Sequence, residues 1–169
     1  LDNTLKTLLR KRVDSPQGSY SRTIECIASL IEDAEHEFGV SNSSIGIGIP
    51  GSISPTSGMV KNANSTWLIG CPLAHDLEKR LDRTISIAND ADCFTLSEAK
   101  QGAGRQYSSV FGVILGTGVG GGFYANGQLL SGPNAVSGEW GHNSLPWPNS
   151  DDQLLSCYCG KKGCIETFL

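Results

Sequence analysis

The chain has 169 residues and a formal net charge of −4, from 13 lysines and arginines against 17 aspartates and glutamates. That length fits roughly one domain of about 150 residues, and the mild acidity gives no electrostatic reason to seek nucleic acid or an anionic membrane face. No apolar run approaches the ~20 residues of a membrane span, and Leu1 to Arg12 is too charged for a secretory signal, so the expected location is the cytoplasm.

Leu8 to Val13 reads as a short edge strand with its basic residues in solvent. Ser15 to Ser19 is a loop. A helix is predicted over 20–38, because Ile24, Ile27, Ala28, Ile31, Ala34 and Phe38 share one helical face. Ser19 or Ser21 suits its N-cap and Gly39 its left-handed exit. Ile45 to Ile49 alternates with period two, as a strand does, and Pro50-Gly51 ends it. Helices are predicted over 73–81 and 91–101, and strands over 84–88 and 110–115, the last of them buried. Asn126-Gly127 marks a hairpin. Gly102-Ala103-Gly104 is a candidate hinge between two lobes. Strands alternating with helices give an α/β fold class. The chain lacks an initiator methionine and stops within a pattern at Cys164 to Leu169, so it is expected to be a fragment of something longer.

The 21 glycines exceed the ~7% average, and they cluster. The densest tract runs from Gly116 to Gly122, directly after a predicted strand. Glycines let backbone N–H groups approach phosphate oxygens. No Lys-Ser or Lys-Thr follows, so this is not a Walker loop, and a packed β-turn fits as well. Asn89-Asp90 closes a predicted strand at the start of a helix. A carboxylate there could accept a proton from an attacking hydroxyl, or the pair could simply cap the helix.

His142, Cys157, Cys159 and Cys164 form a Cys₃His set with C-x-C-x₄-C spacing, suited to a tetrahedral zinc. A disulfide or reduced core thiols are the other readings, and a cytosolic chain disfavours the disulfide. Cys26, Cys71 and Cys93 stand singly and read as core thiols. Glu139, His142 and Glu166 offer hydrogen-bonding groups for a polyhydroxylated ligand. Trp67 and Trp147 could stack on a sugar or merely pack.

Taken in order, Gly48-Ile49-Pro50-Gly51, Asn89-Asp90-Ala91-Asp92, Leu115 to Gly122, Gly138 to His142 and Cys157-x-Cys159-Gly160-x-x-Gly163-Cys164-x-Glu166 resemble the ROK family of sugar kinases, repressors and open reading frames. The resemblance implies an actin-like (ribonuclease H-like) two-lobed ATPase fold, here partial. It divides into an α/β lobe at 1–105, lacking its first phosphate-loop hairpin, and the start of a second at 106–169. Gly51-Ser52-Ile53-Ser54-Pro55, the run from Lys61 to Trp67 and that from His142 to Trp147 look most like the bacterial fructokinase (mannokinase) branch.

By resemblance, the protein phosphorylates a hexose with ATP, and D-fructose to fructose 6-phosphate is the first expectation. N-acetylglucosamine, glucose or mannose kinases of the same family, and a non-catalytic sugar-sensing repressor, are the alternatives. Asp90 is the implied general base. Gly51, Ser52, Asn64, Asn89, Glu139, His142 and Glu166 are the implied sugar contacts. Gly116, Thr117, Gly118, Gly120 and Gly121 are the implied ATP-phosphate contacts. His142, Cys157, Cys159 and Cys164 would hold a structural zinc, and magnesium would accompany ATP. A homodimer is implied too. The family's opening Asp-x-Gly-Gly-Thr-Lys loop is absent here, so the isolated segment is expected to be inactive.

Overall fold

The computed structural model describes residues 1–116, 118–152 and 155–169. Helix α1 (Tyr20–Phe38) is capped by the Ser19 hydroxyl, which accepts from the Arg22 N–H. It ends at Gly39, whose φ of 61° is left-handed. Strand β1 (Gly46–Ile49) pairs in parallel with β4 (Ser86–Asn89), with Ile49 opposite Asn89. Between them come the short antiparallel pair β2 (Ser52–Ile53) and β3 (Val60–Lys61), then helix α2 (Leu73–Leu81). Ile24, Ile49, Val60, Leu68, Leu73, Leu77 and Ile85 form the core of this part. Two parallel strands cannot be joined by a tight turn, and the intervening residues supply the helical crossover.

Helix α3 (Asp90–Lys100) starts where β4 stops, so its first residues sit at the carboxyl end of the parallel pair. It packs on β5 (Ser109–Leu115) and β6 (Val119–Ala125). The approach is close: a Cβ at Gly122 would lie 2.9 Å from the Thr95 Cβ. Thr95 is fully buried and donates to the Ala91 carbonyl at 2.8 Å. Strand β7 (Gln128–Leu129) completes this antiparallel sheet through Asn126 (φ 50°) and Gly127 (φ 89°), the left-handed pair that a tight hairpin turn requires.

Several expectations change. Leu8 to Val13 forms no strand; a strand needs a neighbour, and none of the described residues pairs there. Lys11 instead meets Asp33 at 2.9 Å. Of the glycine tract, Gly116 and Gly118 form a turn, whereas Gly120 to Gly122 lie inside β6. β5 is buried on one face only. α3 covers Gly112, while Phe111, Val113 and Leu115 are exposed. Cys26 and Cys71 are half-buried and Cys93 is exposed, so none is a core thiol. The Gly102-Ala103-Gly104 tract closes α3 as a hydrogen-bonded turn, with the Gly102 and Gly104 N–H groups both donating to the Glu98 carbonyl. Among the described residues, no helix is long and apolar enough to cross a membrane.

Candidate active site

A cleft of about 250 Å³ opens where the β1–β4 pair meets the second sheet. Gly51, Asn64, Asn89 and Asp90 line it from one side. Gly116, Gly118, Gly120 and Gly121 line it from β5–β6, and Glu139, His142 and Glu166 from the C-terminal segment. Ser52 does not line it. Its backbone belongs to β2, its side chain is buried, and its hydroxyl finds no partner there. Thr117 lies outside the described residues. Pro50, Asn62 and Tyr158 also line the cleft and were not foreseen.

Asn89 is both a helix cap and part of the cleft wall. Its Oδ1 accepts from the Ala91 N–H at 2.9 Å and the Asp92 N–H at 3.1 Å, capping α3. Its Nδ2 donates to the Gly51 carbonyl at 3.0 Å, tying the α3 start to the β1 exit. Gly51 must be glycine: its φ is 133°, and a Cβ would lie 2.7 Å from the Lys61 carbonyl oxygen. The next residue, Asp90, is exposed to the cleft at the positive end of α3, where a carboxylate is favoured. Behind it Asp92 carries a buried oxygen without a partner, and burial plus the nearby Glu139 push its carboxyl upward.

Glu139 immediately precedes a 3-10 turn, Trp140–His142, and His142 ends it. Trp140 Nε1 donates to the Gly120 carbonyl at 2.8 Å and so fixes this turn on β6. Gly138 (φ 93°) lets the chain pass, since a Cβ there would run into the Gly121 carbonyl. Burial raises the Glu139 pKa, partly offset by His142. Trp67 is not at the cleft; its Nε1 donates to Thr23 Oγ1 at 3.2 Å and its ring packs on the first core. Trp147 is 95% exposed and outside the cleft.

His142 is held beside the cysteines by backbone bonds, Leu145 N–H to Gly163 O and Ile165 N–H to Asn143 O, each 3.0 Å. The donor atoms of His142, Cys157, Cys159 and Cys164 all lie within 4.8 Å of one another. A tetrahedron with Zn–S of ~2.3 Å and Zn–N of ~2.05 Å has S–S edges of about 3.8 Å and S–N edges of about 3.6 Å. The Cys159–Cys164 sulfurs are 3.7 Å apart, and Cys157 Sγ is 3.5 Å from His142 Nδ1. The set therefore fits zinc, with Nδ1 as the histidine ligand. As a thiol, Cys157 donates to Glu166 Oε1 at 2.9 Å, and burial with this bond pushes it up to about 12.

The geometry has counterparts among known proteins. The chain is 43% identical to an N-acetyl-D-glucosamine kinase of Salmonella newport (strain SL254) over 173 residues, 99% of this chain and 57% of the relative. A ROK hexokinase from Thermus thermophilus matches with TM-score 0.74 and 32% identity over 91% of this chain and 50% of that one. A ROK glucokinase from Streptomyces griseus, solved with glucose and AMPPNP, matches with TM-score 0.73 and 28% identity over 92% of this chain and 47% of that one. The chain thus spans a little over half of the curated relatives it matches. The ROK family model matches residues 1–169, and with these relatives it places the chain in the ROK family, with part of the actin-like ATPase fold.

Proposed function

We propose that the full-length protein carrying this chain is an ATP-dependent hexose kinase, and that its substrate is N-acetylglucosamine. The observation that carries the kinase reading is the shared cleft. It gathers an exposed aspartate at a helix start, a glycine turn, and two carboxylates and a histidine beside a metal-type knot. The relatives named for N-acetyl-D-glucosamine carry the choice of sugar. They displace fructose from first place, for a physical reason as well. Of the residues that pointed to fructose, Ser52, Trp67 and Trp147 lie outside the cleft. Gly51, Asn62, Asn64 and His142 remain in it, and they keep fructose as the second reading.

Asp90 acts as general base. A sugar hydroxyl is a weak nucleophile at neutral pH, and a positioned carboxylate that takes its proton speeds transfer by typically ~10²–10⁴-fold. Asn89 places Asp90 by capping α3, and its remaining capacity orients the sugar with Gly51 and Asn64. Glu139, His142 and Glu166 bind ring hydroxyls. The turn at Gly116 and Gly118, with Gly120 and Gly121, meets the ATP phosphates, with Mg²⁺ offsetting their charge. His142, Cys157, Cys159 and Cys164 would hold zinc, which would supply rigidity to the sugar-binding segment. With zinc bound, Cys157 would be a thiolate and would no longer donate to Glu166, leaving that carboxylate to accept from a sugar hydroxyl. The two-lobe division at residue 105 and a homodimer belong to this proposal.

A coupled ADP-release assay over N-acetylglucosamine, fructose, mannose and glucose tests the reading. Highest kcat/KM on N-acetylglucosamine is expected. Highest kcat/KM on fructose would move the assignment to the second reading, and no turnover of any hexose would end it.

A further inference from the structure

We infer that Tyr158 is a further sugar-contacting residue, reading one ring hydroxyl of the hexose together with His142; this rests on the hexose-kinase reading above. Tyr158 lies between Cys157 and Cys159, so the knot fixes its backbone. Its ring meets the His142 ring edge-on, with centroids 5.2 Å apart at 85°. Its hydroxyl is 3.1 Å from His142 Nε2, and the residue lines the same cleft as Asp90 and Glu139. Despite these contacts it is 71% exposed. An aromatic that served only to cover the knot would be buried; this one presents its polar end to the open cleft.

The two partners divide the hydrogen-bonding work. His142 Nδ1 faces Cys157 at 3.5 Å, and Nε2 faces the Tyr158 hydroxyl at 3.1 Å. With Nδ1 committed to the knot, the ring proton sits on Nε2, which then only donates. A phenol both donates and accepts. A sugar hydroxyl does the same, so it can accept from the Tyr158 O–H while the phenol oxygen accepts from Nε2–H. Phenylalanine at 158 would keep the edge contact on His142 and leave that sugar hydroxyl one partner short. An ordinary neutral hydrogen bond corresponds to about a five- to tenfold change in affinity.

The test compares full-length wild type with Tyr158→Phe on the hexose turned over best, and on its monodeoxy derivatives, each lacking one ring hydroxyl. Zinc content is measured in parallel. The expected result is a KM raised about five- to tenfold, kcat within about twofold, and unchanged zinc. One deoxy sugar, already weak for wild type, should suffer no further loss in the variant. A KM within twofold of wild type overturns the inference, as does an equal KM rise for every deoxy sugar, or a rise accompanied by zinc loss. Wild type that turns over no hexose overturns the kinase reading and this inference together. A wild type that turns over a hexose, beside an unaltered variant, overturns the inference alone.

Discussion

Replacing Asn89 with alanine removes the cap at the start of α3 and the tie between α3 and Gly51 in one step. The Ala91 N–H keeps a second acceptor, Asp90 Oδ1 at 2.9 Å, so the Asp92 N–H is the donor left without a partner. Losing an asparagine cap costs about 1 kcal/mol. The Nδ2 bond to the Gly51 carbonyl adds about another 1 kcal/mol. Together they come to about 2 kcal/mol, which for a protein of this size or somewhat larger lowers Tm by roughly 4–8 °C. Asn89→Asp separates the two parts. Aspartate keeps the acceptor at the positive helix end and lacks the donor to Gly51, so about half of the loss should return. Thermal melts by circular dichroism read both variants. An alanine variant melting with wild type would refute the reasoning, and so would an aspartate variant as unstable as the alanine one.

Purified protein should carry about one zinc per chain, since its four donors match a tetrahedral site. Cys159→Ser should lower that content and weaken hexose binding, because His142 and Glu166 flank the same knot; metal analysis finding none would contradict this. Acid sensitivity should depend on the Glu35–Arg83 pair, 2.8 Å apart with both side chains largely covered. The Arg83 hydrogen bonds, joined by those from the Ser43 hydroxyl and N–H, hold Glu35 down at about 2, against an ordinary 4.5. A carboxylate whose folded pKa is depressed stabilises the fold fully above its unfolded value. That stabilisation should fade as pH falls from about 4.5 towards 2, and Arg83→Gln should reduce this part of the acid dependence, the Ser43 bonds to Glu35 remaining. Equal acid unfolding of the two proteins would contradict it.

Much of the fold was legible because its signals are local. The apolar spacing of α1, the left-handed demand at Gly39 and the Asn126-Gly127 turn depend on neighbours a few residues away. What escaped depends on distant partners. Leu8 to Val13 has strand-like residues and nothing described to pair with. Gly120 to Gly122 read as loop, yet their lack of side chains serves the close approach of α3 and Trp140 to β6. Ser52 alternated out of the cleft because it joined β2. Tyr158 carried no motif of its own; an aromatic between two ligand-spaced cysteines signals nothing until its hydroxyl is found 3.1 Å from His142. The Cys₃His set was legible from residue type and spacing, and the structure brings its four donor atoms together.

The most direct measurement is single-substitution kinetics at Asp90, which lines the cleft at the start of α3. Asp90→Asn nearly preserves size and keeps an oxygen acceptor, but cannot take a proton at neutral pH. With the full-length protein, its preferred hexose, ATP and Mg²⁺, kcat should fall by about 10²–10⁴-fold while hexose binding by calorimetry stays within about threefold. A variant that keeps wild-type kcat would contradict the assignment of Asp90 as the base.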